Sequence, residues 1–119
     1  MAFDAYEVAM QIIRELRGPL ERLEQVDRDL ARQMRRAASS VAQNVGEGAR
    51  RQGKDRLHLW RIAAGSNAEV RAGLRVAVEW GHLDRGALAQ ADGLLDREQA
   101  MLWRLTRPSA SQRSPDLAE

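Results

Sequence analysis

Residues 27–48 read DRDLARQMRRAASSVAQNVGEG, and this stretch decides the fold. Its apolar side chains recur at steps of three and four, the period of one face of an α-helix. They are Leu30, Met34, Ala37, Ala38, Val41 and Val45. Asp27 is placed to cap the N-terminus, and Gly46 and Gly48 favour an end near Gly48. The stretch therefore predicts one amphipathic helix, whose other side carries Arg28, Arg32, Arg35 and Arg36.

The segment before this helix has the same periodicity. Its apolar residues are Tyr6, Ala9, Met10, Ile12, Ile13, Leu16, Leu20 and Leu23. Proline lacks a backbone N–H, so Gly18-Pro19 predicts a kink or a restart at that point. We therefore expect a helix from about Asp4 to Gly18 that continues loosely to Gln25.

Two more helical segments follow. The third helix is predicted from about Lys54 to Trp80, with Gly81 as its stop. It has two apolar faces, so we expect one to face the bundle and the other a neighbouring subunit. Gly65-Ser66 lies in its middle, where small residues let helices approach closely. The fourth helix is predicted from Arg85 to about Thr106, with Asp84 as its N-cap and Pro108 beyond its end.

The four segments together define the fold class. Strand signals are absent and the connections are short, which predicts an all-α, antiparallel up-down-up-down four-helix bundle. Residues 1–107 form this bundle, and residues 108–119 are predicted to be a disordered C-terminal tail. Three tryptophans are large for a thin monomeric bundle, which favours an oligomer. They are Trp60, Trp80 and Trp103.

The composition excludes most enzyme classes. The chain has no cysteine and two histidines, and no serine stands in a nucleophile elbow. Glu79 with His82 and Asp55 with His58 have metal-ligand spacing, but they lie about 36 Å apart along one helix. We therefore predict no catalytic residue, no metal and no cofactor. No apolar run is long enough to span a membrane and no signal peptide is evident, so we expect a cytoplasmic protein.

Basic charge is concentrated in the second quarter of the chain. Residues 28–61 carry eight arginines and one lysine against three acids, whereas residues 1–27 carry twice as many acids as arginines. The candidate phosphate contacts are Arg35, Arg36, Arg50, Arg51, Lys54, Arg56 and Arg61. The alternative is a solvated helix face with salt bridges to the acidic first helix, through Glu15, Glu21 and Glu24. A GC-rich genome would also explain the preference for arginine over lysine.

Residues 33–48 resemble the signature of a bacterial family of four-helix bundles encoded by intervening sequences within 23S ribosomal RNA genes. The matching positions are Arg35-Arg36-Ala37, followed by Ser40, Asn44, Glu47 and Gly48. Ala63-Ala64-Gly65-Ser66 with Glu69, and the turn Gly81-His82-Leu83, are also similar to the family. The chain lacks the family's proline near Ala42 and its Phe-Pro turn after the first helix.

This resemblance implies a homopentamer with no established enzymatic activity. The relatives of the family include the accessory protein of diversity-generating retroelements, which resembles it in fold and binds nucleic acid and a reverse transcriptase. We therefore expect a non-enzymatic bundle that binds RNA or DNA through its arginine-rich surface. The alternative is a scaffold that binds a protein partner such as a reverse transcriptase.

The signature also has a physical interpretation. Ser40, Asn44 and Glu47 share one face of helix two, and Ser66 and Glu69 share one face of helix three. Polar side chains on packed faces need partners. With Arg35 or Arg36, they are predicted to form a polar network that fixes the register of the two helices, so the substitution Glu47→Ala should lower the melting temperature.

Overall fold

The computed structural model describes residues 2–107, so the predicted tail at 108–119 lies outside the described residues. The helices are α1 (Ala2–Val26), α2 (Arg28–Ala49), α3 (Gly53–Glu79) and α4 (Ala89–Thr106), with a 3-10 turn at Gly86–Leu88. No strand occurs within residues 2–107, so the prediction of an all-α chain with four helices is confirmed. No helix in this range has the length and apolarity needed to cross a membrane.

Helix α1 runs through Pro19 as one helix, so a restart at Gly18-Pro19, one of the two predicted outcomes, does not occur. A proline in a helix interior costs about 3 kcal/mol. Pro19 is buried, and so are Leu16, Leu20 and Leu23 around it. Burying each leucine contributes roughly 1.5–3 kcal/mol. The continuous apolar face therefore outweighs the lost hydrogen bond.

The buried face of α1 is rotated from the predicted one. Ala5 and Ala9 are buried, whereas Tyr6 is 38% exposed and Met10 and Ile13 are half-buried. Small alanines allow α1 to approach its neighbours closely, so the larger side chains beside them are displaced to the edge of the core. Tyr6 packs there against Gly46, where an added Cβ would lie 3.2 Å from the tyrosine ring.

Three helix ends follow the predicted signals in part or in full. Asp27 accepts a hydrogen bond from the Leu30 N–H at 3.1 Å, which caps α2. The Asp84 carboxylate accepts one from the Ala87 N–H at 3.1 Å, so it caps the 3-10 turn and not α4, which begins at Ala89 and not at the predicted Arg85. Gly81 ends α3 with a φ of 78°, a conformation that favours glycine.

Helices α2 and α3 touch at two glycines. A Cβ on Gly48 would lie 2.5 Å from the indole nitrogen of Trp60, and one on Gly73 would lie 2.8 Å from Met34. The Trp60 indole N–H donates to the Val45 carbonyl at 3.2 Å. Trp60 is therefore accommodated inside a single chain, because glycine leaves room for its ring.

Both predicted apolar faces of α3 are buried within the chain, one through Trp60 and Leu74 and the other through Ala63, Val70 and Ala77, so the expectation that the second face is left open for a neighbouring subunit is wrong. Ile62, Val76 and Trp80 lie outside both faces and are 38%, 44% and 71% exposed. Of the predicted pair Gly65-Ser66, Ser66 contacts α2 through Ser40. An added Cβ on Gly65 would meet no atom of residues 2–107 within 4 Å, so Gly65 does not lie at a helix contact in this part of the chain.

Candidate nucleic-acid interface

Four arginines surround one open cavity where α1 ends and α2 begins. The cavity has a volume of about 370 Å³ and is lined by Glu24, Arg28, Arg32, Arg35 and Arg36. Arginines spaced by three and four residues share one side of a helix, so α2 itself assembles the cluster. We call these four arginines with Glu24 the α2 arginine cluster.

Glu24 and Arg35 form the internal ion pair of this cluster. The Arg35 guanidinium donates to the Glu24 carboxylate, joining α2 to α1. This hydrogen bond, together with the positive charges of Arg35, Arg28 and Arg32, lowers the pKa of Glu24. Among residues 2–107, Arg28, Arg32 and Arg36 have no ion pair or hydrogen bond of their own through their side chains. Three guanidinium groups are therefore available to an external anion.

The remaining predicted contacts lie at the turn between α2 and α3, and most of them are engaged within the chain. Arg51 donates to Glu47 at 3.0 Å and lies 3.8 Å from the Asp55 carboxylate. Arg61 donates to the Thr106 carbonyl at 3.4 Å. Within the described part of the chain, Arg50 and Lys54 are exposed and make no such contact.

Arg56 closes the C-terminal end of α2. Its guanidinium donates to the carbonyls of Gly48 and Ala49 at 3.1 and 3.2 Å. It also lies over the Trp60 ring, 5.3 Å from the ring centroid, in cation–π geometry. The last carbonyls of a helix have no partner within the helix, so Arg56 has a structural role here.

The seven predicted contacts therefore form two groups: Arg35 and Arg36 lie in the first half of α2, and the other five lie at the turn after it or on α3. Arg36 and Arg50 are 14 residues apart, which corresponds to about 21 Å along a helix. Arg28 and Arg32 are not among the seven predicted contacts, although Arg28, Arg32 and Arg36 are spaced by four residues and share one side of α2. The alternative prediction of salt bridges to the acidic first helix holds for Glu24, whereas Glu15 and Glu21 form no ion pair with α2 among residues 2–107.

The predicted polar network is joined at three of its five positions. The hydroxyls of Ser40 and Ser66 lie 2.8 Å apart, and the Asn44 amide donates to the Ser40 carbonyl and hydroxyl at 2.9 and 3.0 Å. The Glu47 carboxylate instead accepts a hydrogen bond from the Arg51 guanidinium, four residues along the same chain segment. Glu69 is exposed and lines an open cavity of about 500 Å³ with Gln33, Arg36, Ala37, Ser40 and Ser66.

A second polar cluster, between α3 and α4, was not predicted. The buried Asn67 amide donates to the Leu95 carbonyl and to the Gln99 side chain, both at 2.9 Å, and Gln99 donates to the Ala64 carbonyl at 3.2 Å. Glu98, the residue before Gln99 on α4, is fully buried. Burial raises the pKa of its carboxyl to about 8, and the positive charge of Arg97 offsets this rise only in part. The available signal was that position 98 lies on the apolar stripe of α4.

Both histidines lie away from any cluster of ligand-type side chains. The described residues contain no group of three or more His, Cys, Asp or Glu side chains that could hold a metal ion. His82 stacks on the exposed Trp80, with ring centroids 6.5 Å apart. The pairs Glu79 with His82 and Asp55 with His58 remain at opposite ends of α3.

The fold and this surface define a class: small all-α proteins with a polar contact between two central helices and arginines along one of them. The family model described as 23S rRNA-intervening sequence protein matches residues 2–104. The chain therefore belongs to the 23S rRNA-intervening sequence protein family, which confirms the resemblance of residues 33–48.

A solved structure supports the same fold. The chain is similar to a crystal structure of a protein with unknown function from the S23 ribosomal protein family of Bacteroides thetaiotaomicron. The TM-score is 0.74 at 16% identity, and the match covers 91% of this chain and 100% of the other. No curated protein matches the chain.

Proposed function

We propose that the protein is a non-enzymatic bundle that binds nucleic acid through the α2 arginine cluster, with Arg50 and Lys54 as further contacts. The observation that carries this proposal is that Arg28, Arg32 and Arg36 share one open cavity and have no partner in the described chain. Guanidinium groups bind phosphate oxygens in pairs of hydrogen bonds. Their charge is available because the local carboxylate, Glu24, is already paired with Arg35.

The geometry favours an extended phosphate backbone over a single anion. The α2 arginine cluster and the pair of Arg50 and Lys54 lie at opposite ends of α2, about 21 Å apart. A duplex or a single strand offers phosphates over such a span. In this proposal Arg51, Arg56 and Arg61 hold the helix ends together and do not contact phosphate.

The proposal includes assembly of antiparallel bundles as a homopentamer in the bacterial cytoplasm. One observation supports the assembly, and a second supports the antiparallel arrangement of the helices. Trp80 and Trp103 are exposed in the single chain, and large exposed apolar side chains favour a contact between copies. The contacts between α2 and α3 pair Met34 with Gly73 and Ser40 with Ser66, as opposite helix directions require. Light scattering tests the assembly, and a monomer would contradict it.

Binding is tested by gel shift with structured RNA and duplex DNA at rising salt concentrations. Each phosphate contact adds about 0.9 to the slope of log affinity against log salt on duplex DNA. Replacing Arg28, Arg32 and Arg36 by alanine should therefore lower that slope by roughly 2.7. The matched control is Arg104→Ala on α4, an exposed arginine outside the cluster. The absence of retardation at low salt and micromolar protein would refute the proposal.

A protein partner is the second candidate, and an apolar groove favours it. The groove lies between α1 and α2, has a volume of about 660 Å³, and is lined in part by Tyr6, Met10, Ile13 and Gly46. Purification from the native host with a reverse transcriptase bound, together with no binding of RNA or DNA by the pure protein, would favour this candidate.

A further inference from the structure

Arg36 lies between two open cavities on the solvent side of α2. The first is the cavity of the α2 arginine cluster, and the second is the 500 Å³ cavity that contains Ser40, Ser66 and Glu69. Because Arg36 lines both, the two cavities adjoin at its side chain, and we call the pair the Arg36 groove.

The two halves of the Arg36 groove differ in chemistry. The half formed by the arginine cluster presents four guanidinium groups against one carboxylate and suits an anion. The other half presents the Gln33 amide, the paired hydroxyls of Ser40 and Ser66, and the Glu69 carboxylate. In the described chain Glu69 makes no ion pair or hydrogen bond through its carboxylate.

A free carboxylate beside an anion site selects for a ligand with a hydroxyl donor. It would repel a second phosphate, but it accepts a strong hydrogen bond from a hydroxyl group. A ribonucleotide carries both features, a phosphate and a neighbouring 2′-hydroxyl that distinguishes RNA from DNA. Arg36 adjoins the half of the groove that contains Glu69, just as the phosphate adjoins the ribose in one nucleotide.

We propose that the Arg36 groove holds one ribonucleotide unit of an RNA chain. Arg36 binds the phosphate of this unit, Arg28 and Arg32 bind the phosphates before it in the chain, and Glu69 accepts a hydrogen bond from the ribose 2′-hydroxyl. This inference rests on the proposed nucleic-acid binding and names RNA as the preferred nucleic acid. A DNA strand in the same groove brings its phosphates near Glu69 and offers no hydroxyl in compensation.

The test compares three fluorescent oligonucleotides of one sequence by anisotropy: RNA, 2′-O-methyl RNA and DNA. A hydrogen bond to a charged group corresponds to a discrimination of about tenfold or more, so the wild type should bind RNA about tenfold more tightly than either of the other two. The Glu69→Gln variant should lose most of this preference, and its affinity for DNA should rise because a negative charge is removed. The Arg36→Ala variant should bind all three oligonucleotides more weakly.

Glu79→Gln is the matched control, because Glu79 is an exposed carboxylate at the far end of the same helix. It should leave the ratio of RNA to DNA affinity unchanged. A carboxylate that acts only by repulsion predicts that Glu69→Gln raises RNA and DNA affinity equally, and that result would overturn the inference. Salt-sensitive binding with no preference for RNA would overturn it while leaving the proposed function intact, whereas no binding of any oligonucleotide would refute the proposed function itself.

Discussion

The substitution Glu98→Gln should stabilise the protein at pH 8 and remove most of the pH dependence of its stability between pH 5 and pH 8. Glu98 is fully buried on α4, and neither carboxylate oxygen has a hydrogen-bond partner among the described residues. Burial disfavours the charged carboxylate and raises its pKa to about 8, and Arg97 offsets this only in part. The folded protein therefore holds a proton on Glu98 at neutral pH.

The sign and size follow from proton linkage. In the unfolded chain the pKa of a glutamate is about 4.3, so between that value and about 8 the unfolded state binds fewer protons than the folded state. The free energy of unfolding then falls as the pH rises, by about 1.36 kcal/mol for each pH unit. Across the whole window the loss is on the order of 5 kcal/mol, a large part of the roughly 5–15 kcal/mol of a typical domain.

Urea denaturation followed by circular dichroism at pH 5, 6, 7 and 8 measures this effect. The wild type should become less stable at each step, whereas Glu98→Gln should give a nearly flat profile. Glu7→Gln, at an exposed carboxylate, should follow the wild type. The lowered pKa of Glu24 has the opposite effect: the ion pair with Arg35 stabilises the folded state at neutral pH, and this contribution is lost as the pH falls through the lowered pKa. That loss lies below the range of pH 5 to pH 8. Parallel profiles for the wild type and Glu98→Gln would refute the reasoning.

Two other predictions concern the helix contacts. Gly48→Ala should lower the free energy of unfolding by about 1–3 kcal/mol, because the added Cβ would meet the Trp60 ring. Gly65→Ala should raise it by about 0.5–1 kcal/mol, because alanine favours the helix and its Cβ would meet no atom within 4 Å. Urea denaturation measures both, and equal effects would contradict the packing described above. Ser40→Ala should cost about 1 kcal/mol, because it removes the partner of Ser66 and Asn44, while Glu47→Ala should cost no more than about 0.5 kcal/mol, because its pair with Arg51 is exposed. A larger loss for Glu47→Ala would restore the network predicted from the sequence.

The helices were predictable because their signals are local. Asp27, Gly81 and the steps of three and four in residues 27–48 each act within a few residues of chain, and the structure follows them. The continuation of α1 through Pro19 was not predictable from local signals, because tertiary burial of the leucines around it exceeds the local cost of a proline. The rotation of α1, which moves Tyr6 to the edge of the core, also depends on neighbours that the local period does not describe.

The polar residues were harder to predict because their partners lie on other helices. Ser40 and Ser66 are 26 residues apart, and Asn67 reaches Gln99 across 32 residues. Spacing placed Ser40, Asn44 and Glu47 on one side of α2. It also placed Arg51 four residues after Glu47, and this local ion pair competes with the predicted network. Glu98 was overlooked because a glutamate on a helix is ordinarily exposed, although its position between Leu95 and Leu102 continues the apolar stripe.

The two ends of α2 explain why some arginines serve the fold and others remain free. The C-terminal end of a helix carries a partial negative charge and unpaired carbonyls, so Arg56 stabilises the fold by binding there. The N-terminal end carries a partial positive charge, and Arg28 occupies the first position of α2, where that charge opposes it. The favourable local partner, Glu24, is already engaged by Arg35. Arg28 therefore gains nothing from its own helix end, and an external anion would relieve it, which is why our proposal places the phosphate contacts at the α2 arginine cluster and not at the longer basic run at the turn.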